Sequence, residues 1–202
     1  MHIRRVRKIL AAGGPPQIKT TKGKEGELYL ACPQERKMKK KVFFITHAAV
    51  IAALYTVLTI FVAAFDLASG AIQIRISEAL TVLAYFTPAA IPGLFIGCLL
   101  SNLITGAAIW DVIFGSLATL IGAVGTYFLG RKVSKWLSPV PPIVANTLII
   151  PFVLQYAYGV PDGIPFLMLT VGAGEVLSCG VLGLLLLNAI EPVKKYIFSK
   201  ET

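Results

Sequence analysis

The chain has 202 residues, 56% of them hydrophobic and only 14% charged, against roughly 25% charged in an average soluble domain. So few charges cannot coat a water-facing surface, and the apolar residues come in long runs, which excludes an ordinary soluble enzyme. The formal charge of +9 lies on the flanks: a basic run from Arg4 to Lys41, a cluster from Arg131 to Lys135, and another from Lys194 to Lys200. Positive ends around an apolar body are not a nucleic-acid-binding face.

Residues 1–37 are basic and polar, with Gly13-Gly14-Pro15-Pro16 and no apolar stretch able to bury a core, so they read as a disordered extension. Met38-Lys39-Lys40-Lys41 running directly into Val42-Phe43-Phe44 has the character of a membrane-protein start. Residues 38–202 then form one membrane domain. Val42 to about Phe65 is nearly unbroken apolar sequence, long enough for a helix to cross about 30 Å of hydrocarbon. A polar stretch follows from Asp66 to Ser77. The apolar region Ala79 to Ile109 contains Pro88, Pro92 and Gly93, which predict two shorter helices joined by a turn over Thr87 to Gly93. Val112 to Gly130, Ile143 to Tyr158 and Pro165 to Ile190 complete the set. The expected fold is all-α, a bundle of about six transmembrane helices. An even number keeps every basic cluster on one side, so both termini are expected in the cytoplasm.

The three cysteines, Cys32, Cys98 and Cys179, show no metal-ligand spacing and read as small packed thiols; with only His2 and His47 in the chain, a histidine-based metal site is not expected. Gly125 to Lys132 approaches a phosphate-binding loop but has Arg131 where that loop needs lysine and Lys132 where it needs serine or threonine. No catalytic constellation stands out, and no cofactor is expected.

A side chain that ionises in mid-bilayer costs about 2.5 to 3.5 kcal/mol even on the lenient insertion scale. Glu175 lies roughly 15 Å along its helix from Pro165, flanked by Gly172, Ala173, Gly174 and Ser178. Its two readings are a ligand contact and a structural bond to a neighbouring helix. Arg75, Glu78, Asn102, Asp111 and Gln155 fall toward the outer half, and Asn146 deeper. Together they point to a polar pocket open to the outside, although Arg75 with Glu78 also reads as an interfacial pair and Asp111 as a helix cap. Trp110 reads either as a stacking face or as part of an interfacial aromatic belt. Ala48, Ala49, Ala52 and Ala53 form i, i+4 pairs suited to close helix contact, either within the bundle or with another membrane subunit.

Gln73-Ile74-Arg75-Ile76-Ser77-Glu78-Ala79-Leu80-Thr81-Val82-Leu83, the Thr87-Pro88-Ala89-Ala90-Ile91-Pro92-Gly93 turn, Trp110-Asp111 through Leu120 and Gly174-Glu175-Val176-Leu177-Ser178 together resemble the QueT family of queuosine-precursor transporters, over about Met38 to Ile197. The resemblance implies a substrate-binding membrane subunit, an S component, of an energy-coupling factor importer in the cell membrane. Its substrate would be a 7-deazaguanine precursor of queuosine; its partners would be a transmembrane coupling protein and two cytoplasmic ATPases. Ala48, Ala49, Ala52 and Ala53 would match the family's alanine-rich docking face on the first span, and the pocket would involve the first outer loop. A deazaguanine presents paired N–H donors, for which Glu175 is the first acceptor and Glu78 or Asp111 the second. Asn102, Asn146 and Gln155 would read other edges and Trp110 would stack. The alternative is a self-sufficient secondary transporter or small channel for another polar solute, against which the lack of an evident inverted repeat weighs.

Overall fold

The computed structural model describes residues 21–22, 28–29, 33–64 and 75–198. The chain divides into two compact units, residues 1–43 and 44–202. In the first, β1 (Thr21–Lys22) pairs antiparallel with β2 (Leu28–Tyr29). The remainder of the expected N-terminal extension, apart from residues 33–37, lies outside the described residues. Residues 33–37 are helical, because α1 (Pro33–Ala64) begins at a proline whose missing N–H goes unused in a first turn.

The described part of the second unit consists of helices joined by short turns. A 3-10 segment (Ile76–Tyr85) leads through a turn into α2 (Ala90–Ile104). There follow α3 (Ile109–Lys132) and α4 (Val140–Ala157). The last long stretch begins as α5 (Ile164–Glu175), widens into a π-helical segment (Val176–Leu182) and ends as α6 (Gly183–Ile190). A short α7 (Lys194–Phe198) closes the described chain. Among the described residues, four stretches are long and apolar enough to cross a membrane: Lys40–Ala64, Ile109–Lys132, Lys135–Ala157 and Ile164–Val193. The two remaining apolar helices are shorter. Ten 3-10 residues at about 2.0 Å each extend roughly 20 Å, and the fifteen of α2 at about 1.5 Å reach roughly 22 Å. The fold is therefore an all-α polytopic bundle, with six apolar helical stretches among the described residues, two of them short of about 30 Å.

The proline-rich turn is narrower than the sequence predicts. Pro88 bars its predecessor Thr87 from helix, and the Thr87 hydroxyl accepts a 3.1 Å bond from the Ala89 N–H. Pro92 falls in the first turn of α2, where its missing donor would have had no intrahelical partner, so the helix passes through it. Arg131 at the end of α3 fastens the other side of this corner, donating to the carbonyls of Tyr85 at 2.8 Å and Phe86 at 2.7 Å.

Large apolar side chains such as Val57, Phe128 and Leu185 point outward, as expected where the surrounding solvent is hydrocarbon. The interior is built from small groups: Ala84, Ala90, Cys98 and Ala123 surround Leu94 and Tyr55. Helices α1 and α2 meet most closely at two glycines. A Cβ on Gly93 would come within 2.7 Å of the Ala48 carbonyl oxygen, and one on Gly97 within 2.8 Å of the Tyr55 Cβ and 2.9 Å of the Ala52 oxygen. Gly97→Ala therefore forces the helices apart, a clash that typically costs about 1–3 kcal/mol. At Gly180 a Cβ would find its nearest atoms at 3.7 and 3.9 Å, ordinary van der Waals contact, so Gly180→Ala is tolerated. Thermal unfolding in detergent is expected to show a lower midpoint for the first variant and little change for the second.

Candidate substrate-binding site

Eight consecutive residues of the 3-10 segment, Ser77 to Ala84, are buried. A 3-10 run of ten residues is unusually long, and its three-residue repeat eclipses positions i and i+3. Glu78 and Thr81 thus share one edge, and Arg75, at the N-cap with non-helical backbone, stands just ahead of them. Facing them, the π segment begins directly after Glu175. Such widened turns recur at functional sites because they re-aim side chains that an α-helix would hold one above another.

Glu78 is fully buried. Its Oε1 accepts from the Tyr55 hydroxyl of α1 and from the Thr119 hydroxyl of α3 at 2.8 Å. Its Oε2 has no partner. Glu175 is 3% exposed, and its Oε2 accepts from the Cys179 thiol at 3.3 Å. That thiol also lies 3.3 Å from the Glu78 backbone oxygen and 3.7 Å from the Thr81 hydroxyl. One oxygen of each carboxylate and the Cys179 sulfur all lie within 4.8 Å of one another. Two carboxylates this close, deep in apolar surroundings, repel strongly unless a proton or a cation stands between them.

Asn146 adds a third group. Completely buried on α4, it approaches Glu175, yet neither its Nδ2 nor its Oδ1 has a hydrogen-bond partner. Pro151 in the same helix cannot donate to the Thr147 carbonyl, and the Thr147 and Ser178 hydroxyls are likewise buried and unpaired. Buried polar groups are nearly always hydrogen-bonded, and leaving one unmet costs about 1–3 kcal/mol. Orphaned atoms on Glu78, Asn146, Thr147 and Ser178 therefore mark polar capacity that the protein does not use on itself.

A second cluster lies beside the first. Arg75 reaches Asp111 at 3.4 Å, and Asp111 also accepts from the Tyr158 hydroxyl at 3.1 Å. Tyr158 in turn accepts from the Ala108 N–H at 3.1 Å, and Asn102 donates to the Asp111 carbonyl at 3.3 Å. Gly115 leaves room here, since a Cβ would sit 2.9 Å from the Asp111 carboxylate. Arg75 pairs with Asp111 across helices, and not with Glu78 as the interfacial-pair reading of the sequence would have it.

Of the residues singled out in the sequence, Glu78, Glu175 and Asn146 converge, and Arg75, Asn102 and Asp111 form the adjoining cluster. Gln155 is half-buried with an unpaired Oε1. It follows Asn146 by nine residues, which on an α-helix is about 14 Å of rise and a half-turn of rotation, so it does not share the Asn146 position. Trp110 is 56% exposed, stacks on Phe114 and lines an outward groove of about 380 Å³ with Leu148, Phe152 and Tyr156; it does not cover the carboxylates. The alanines divide: Ala52 is buried and Ala48 packs at Gly93, whereas Ala49 and Ala53 are exposed. Tyr55, Thr119 and Cys179 were not legible as site residues. An isolated Tyr or Thr in an apolar run carries no signal until its helix is oriented, although the four-residue spacing of Glu175 and Cys179 was available. The expected contribution of the first outer loop, residues 66–74, lies outside the described residues.

Fold and site together define a polytopic α-helical membrane protein with a polar, carboxylate-lined interior. The chain belongs to the QueT transporter family, whose pattern matches residues 45–192. Over 83 residues it is 39% identical to the Queuosine precursor transporter QueT of Lactococcus lactis subsp. cremoris strain MG1363, a stretch covering 41% of this chain and 48% of that protein. The matched region thus spans about half the length of that curated relative. No solved structure matches the chain.

Tyr55→Phe leaves the shape of the interior intact and removes one donor to the buried Glu78 oxygen. A hydrogen bond of this kind contributes about 0.5–1.5 kcal/mol, so a lower unfolding midpoint is expected by thermal melting. Trp110→Phe, on the outward groove, is expected to leave it nearly unchanged.

Proposed function

We propose that this chain is the substrate-binding S component of an energy-coupling factor importer and captures a 7-deazaguanine precursor of queuosine. The observation that carries this reading is the set of unpaired, membrane-buried polar atoms around Glu78, Glu175 and Asn146. A purine-like base offers adjacent ring N–H and exocyclic N–H donors, which a carboxylate accepts side by side, while the Asn146 amide supplies both a donor and an acceptor. The family membership and the name of the Lactococcus relative support the same substrate class.

In this reading Glu175 accepts from the base, with Glu78 held rigid by Tyr55 and Thr119 as the second acceptor. Arg75, Asp111 and Tyr158 close the adjoining side. Asn102 fixes the Asp111 backbone. The energy comes from a coupling protein and two cytoplasmic ATPases. The exposed pair Ala49 and Ala53, one helical turn apart on α1, is the surface offered to the coupling protein, and Ala48 and Ala52 serve the internal contact with α2. The protein sits in the cell membrane with both ends in the cytoplasm.

Glu175→Gln is expected to weaken binding of deazaguanine precursors at least tenfold in calorimetry with purified protein, with helical content unchanged. Unaltered affinity would remove Glu175 from the site. Ala49→Leu or Ala53→Leu is expected to lower uptake in vesicles containing the complete transporter while sparing binding to the isolated chain. Uptake by the chain alone under an ion gradient would instead favour a self-sufficient secondary transporter.

A further inference from the structure

Helices α3 and α4 meet differently at their two ends. Toward the basic cluster they are closed. There a Cβ on Gly122 would sit 2.7 Å from the Pro142 Cα, and the Thr126 hydroxyl donates to the Ser138 carbonyl at 2.7 Å. Toward the opposite end the same two helices part, leaving the outward groove of about 380 Å³ between Trp110 and Phe114 on one side and Leu148, Phe152 and Tyr156 on the other. Close-packed interiors resist displacement, so the freedom to move lies at the parted end.

That end of α4 packs with α5. Ile150 and Leu154 of α4 meet Leu167 and Val171 of α5, with Val160 of the connecting turn against them, in an apolar cluster separate from the one around Tyr55 and Leu94. Gly159 makes the turn at φ 66°, a conformation suited to glycine, and the Val160 N–H donates to the Leu154 carbonyl at 3.2 Å. Residues 150–171 thus form a helical hairpin with a core of its own. Both arms are weakened at a similar depth. Pro151, roughly 10 Å along α4 from Tyr158, brings no donor to the Thr147 carbonyl. Gly172 and Gly174, beginning roughly 12 Å along α5 from Ile164, directly precede Glu175 and the π segment. Prolines, glycines and π-bulges are where helices bend. Asn146 and Glu175 lie just beyond these two points, on the side that stays with the bundle.

Among the described residues, the hydrogen bonds that fasten this hairpin to α3 both run through the Tyr158 hydroxyl, which accepts from the Ala108 N–H and donates to the Asp111 carboxylate, each at 3.1 Å. Asp111 passes the tie on to Arg75 at the head of the 3-10 segment. Tyr158 is exposed, so these bonds exchange for bonds to water at little net cost.

We propose that residues 150–171 are a lid over the carboxylate site, pivoting at Pro151 and at Gly172 to Gly174 and latched by Tyr158 on Asp111 and Ala108. Opening swings the hairpin away from α3 and gives a solute a path past the groove to Asn146 and Glu175; closing restores the Tyr158 bonds. The lid presupposes the substrate-binding reading above and adds to it the part that moves.

Spin labels test the motion without any ligand, on the full-length chain in lipid vesicles. One pair, at Val57 on α1 and Leu169 on the lid, spans the proposed movement; a second, at Ile45 and Leu185, lies away from it, and all four positions are exposed. Tyr158→Phe is expected to add a longer component to the Val57–Leu169 distance and to leave Ile45–Leu185 unchanged. In stopped-flow binding of a 7-deazaguanine precursor the same variant should raise the association and release rates each at least fivefold. Pro151→Ala, which returns a donor to the Thr147 carbonyl, should lower both at least threefold. Identical Val57–Leu169 distances in the native protein and Tyr158→Phe would overturn the latch, as would a broadening shared by both label pairs. Faster release with unaltered association would make Tyr158 a ligand contact in place of a latch, and unaltered rates in Pro151→Ala would overturn the pivot. If no deazaguanine binds, the substrate reading falls, while the ligand-free distances still decide the lid.

Discussion

Two carboxylates held against each other inside an apolar bundle are the constraint around which this structure is arranged. Burying either one is unfavourable, and burying both within 4.8 Å of a common thiol is more so. The protein meets part of that demand with neutral donors from separate helices: Tyr55 from α1 and Thr119 from α3 converge on Glu78, and Cys179 on Glu175. It leaves the rest unmet. The bonds that hold Glu78 also tie α1, the 3-10 segment and α3 to one point, so the site lies at the junction of the elements that define the bundle.

The irregular backbone lies at the same place. Regular α-helices would give both carboxylates the same 3.6-residue periodicity. The 3-10 segment and the π segment depart from it in opposite directions, tighter on the Glu78 side and wider on the Glu175 side. Unusual backbone inside a membrane protein is tolerated where it lines protein or a polar cavity and not where it meets lipid. Here, the 3-10 segment carries Glu78, and the π segment, which starts directly after Glu175, carries Ser178 and Cys179. The close helix contacts at Gly93 and Gly97 keep α1 near enough for the Tyr55 hydroxyl to reach Glu78.

Much of the fold was legible because membrane spans announce themselves by length and hydropathy: the first span, α3, α4 and the long final stretch fall within a few residues of where the apolar runs end. The short pair before α3 was harder. Pro88 correctly marked a break, but Pro92 did not, because a proline in a first turn and a proline in a turn look alike until the helix start is known. No pattern in Ile76–Tyr85 distinguishes 3-10 from α. Within the site, the ionisable residues stood out because each is costly in an apolar run, which is why Glu78, Glu175 and Arg75 could be singled out. Their pairing was not legible. Arg75 finds Asp111, thirty-six positions away, because an N-cap side chain leaves the 3-10 segment toward α3. Gln155 stood out by its depth at the outer end of a span and Trp110 by its flat ring, but neither signal says which face of the helix a side chain takes.

The claim at the centre is that Glu78 and Glu175 receive the ligand directly. Infrared difference spectroscopy on the protein in lipid vesicles, recorded as a 7-deazaguanine precursor is added, reads carboxyl stretching bands at the site itself. The account predicts a ligand-induced band change that loses one component in Glu78→Gln and another in Glu175→Gln. Saturating binding with a carboxyl region identical in the three proteins would contradict it.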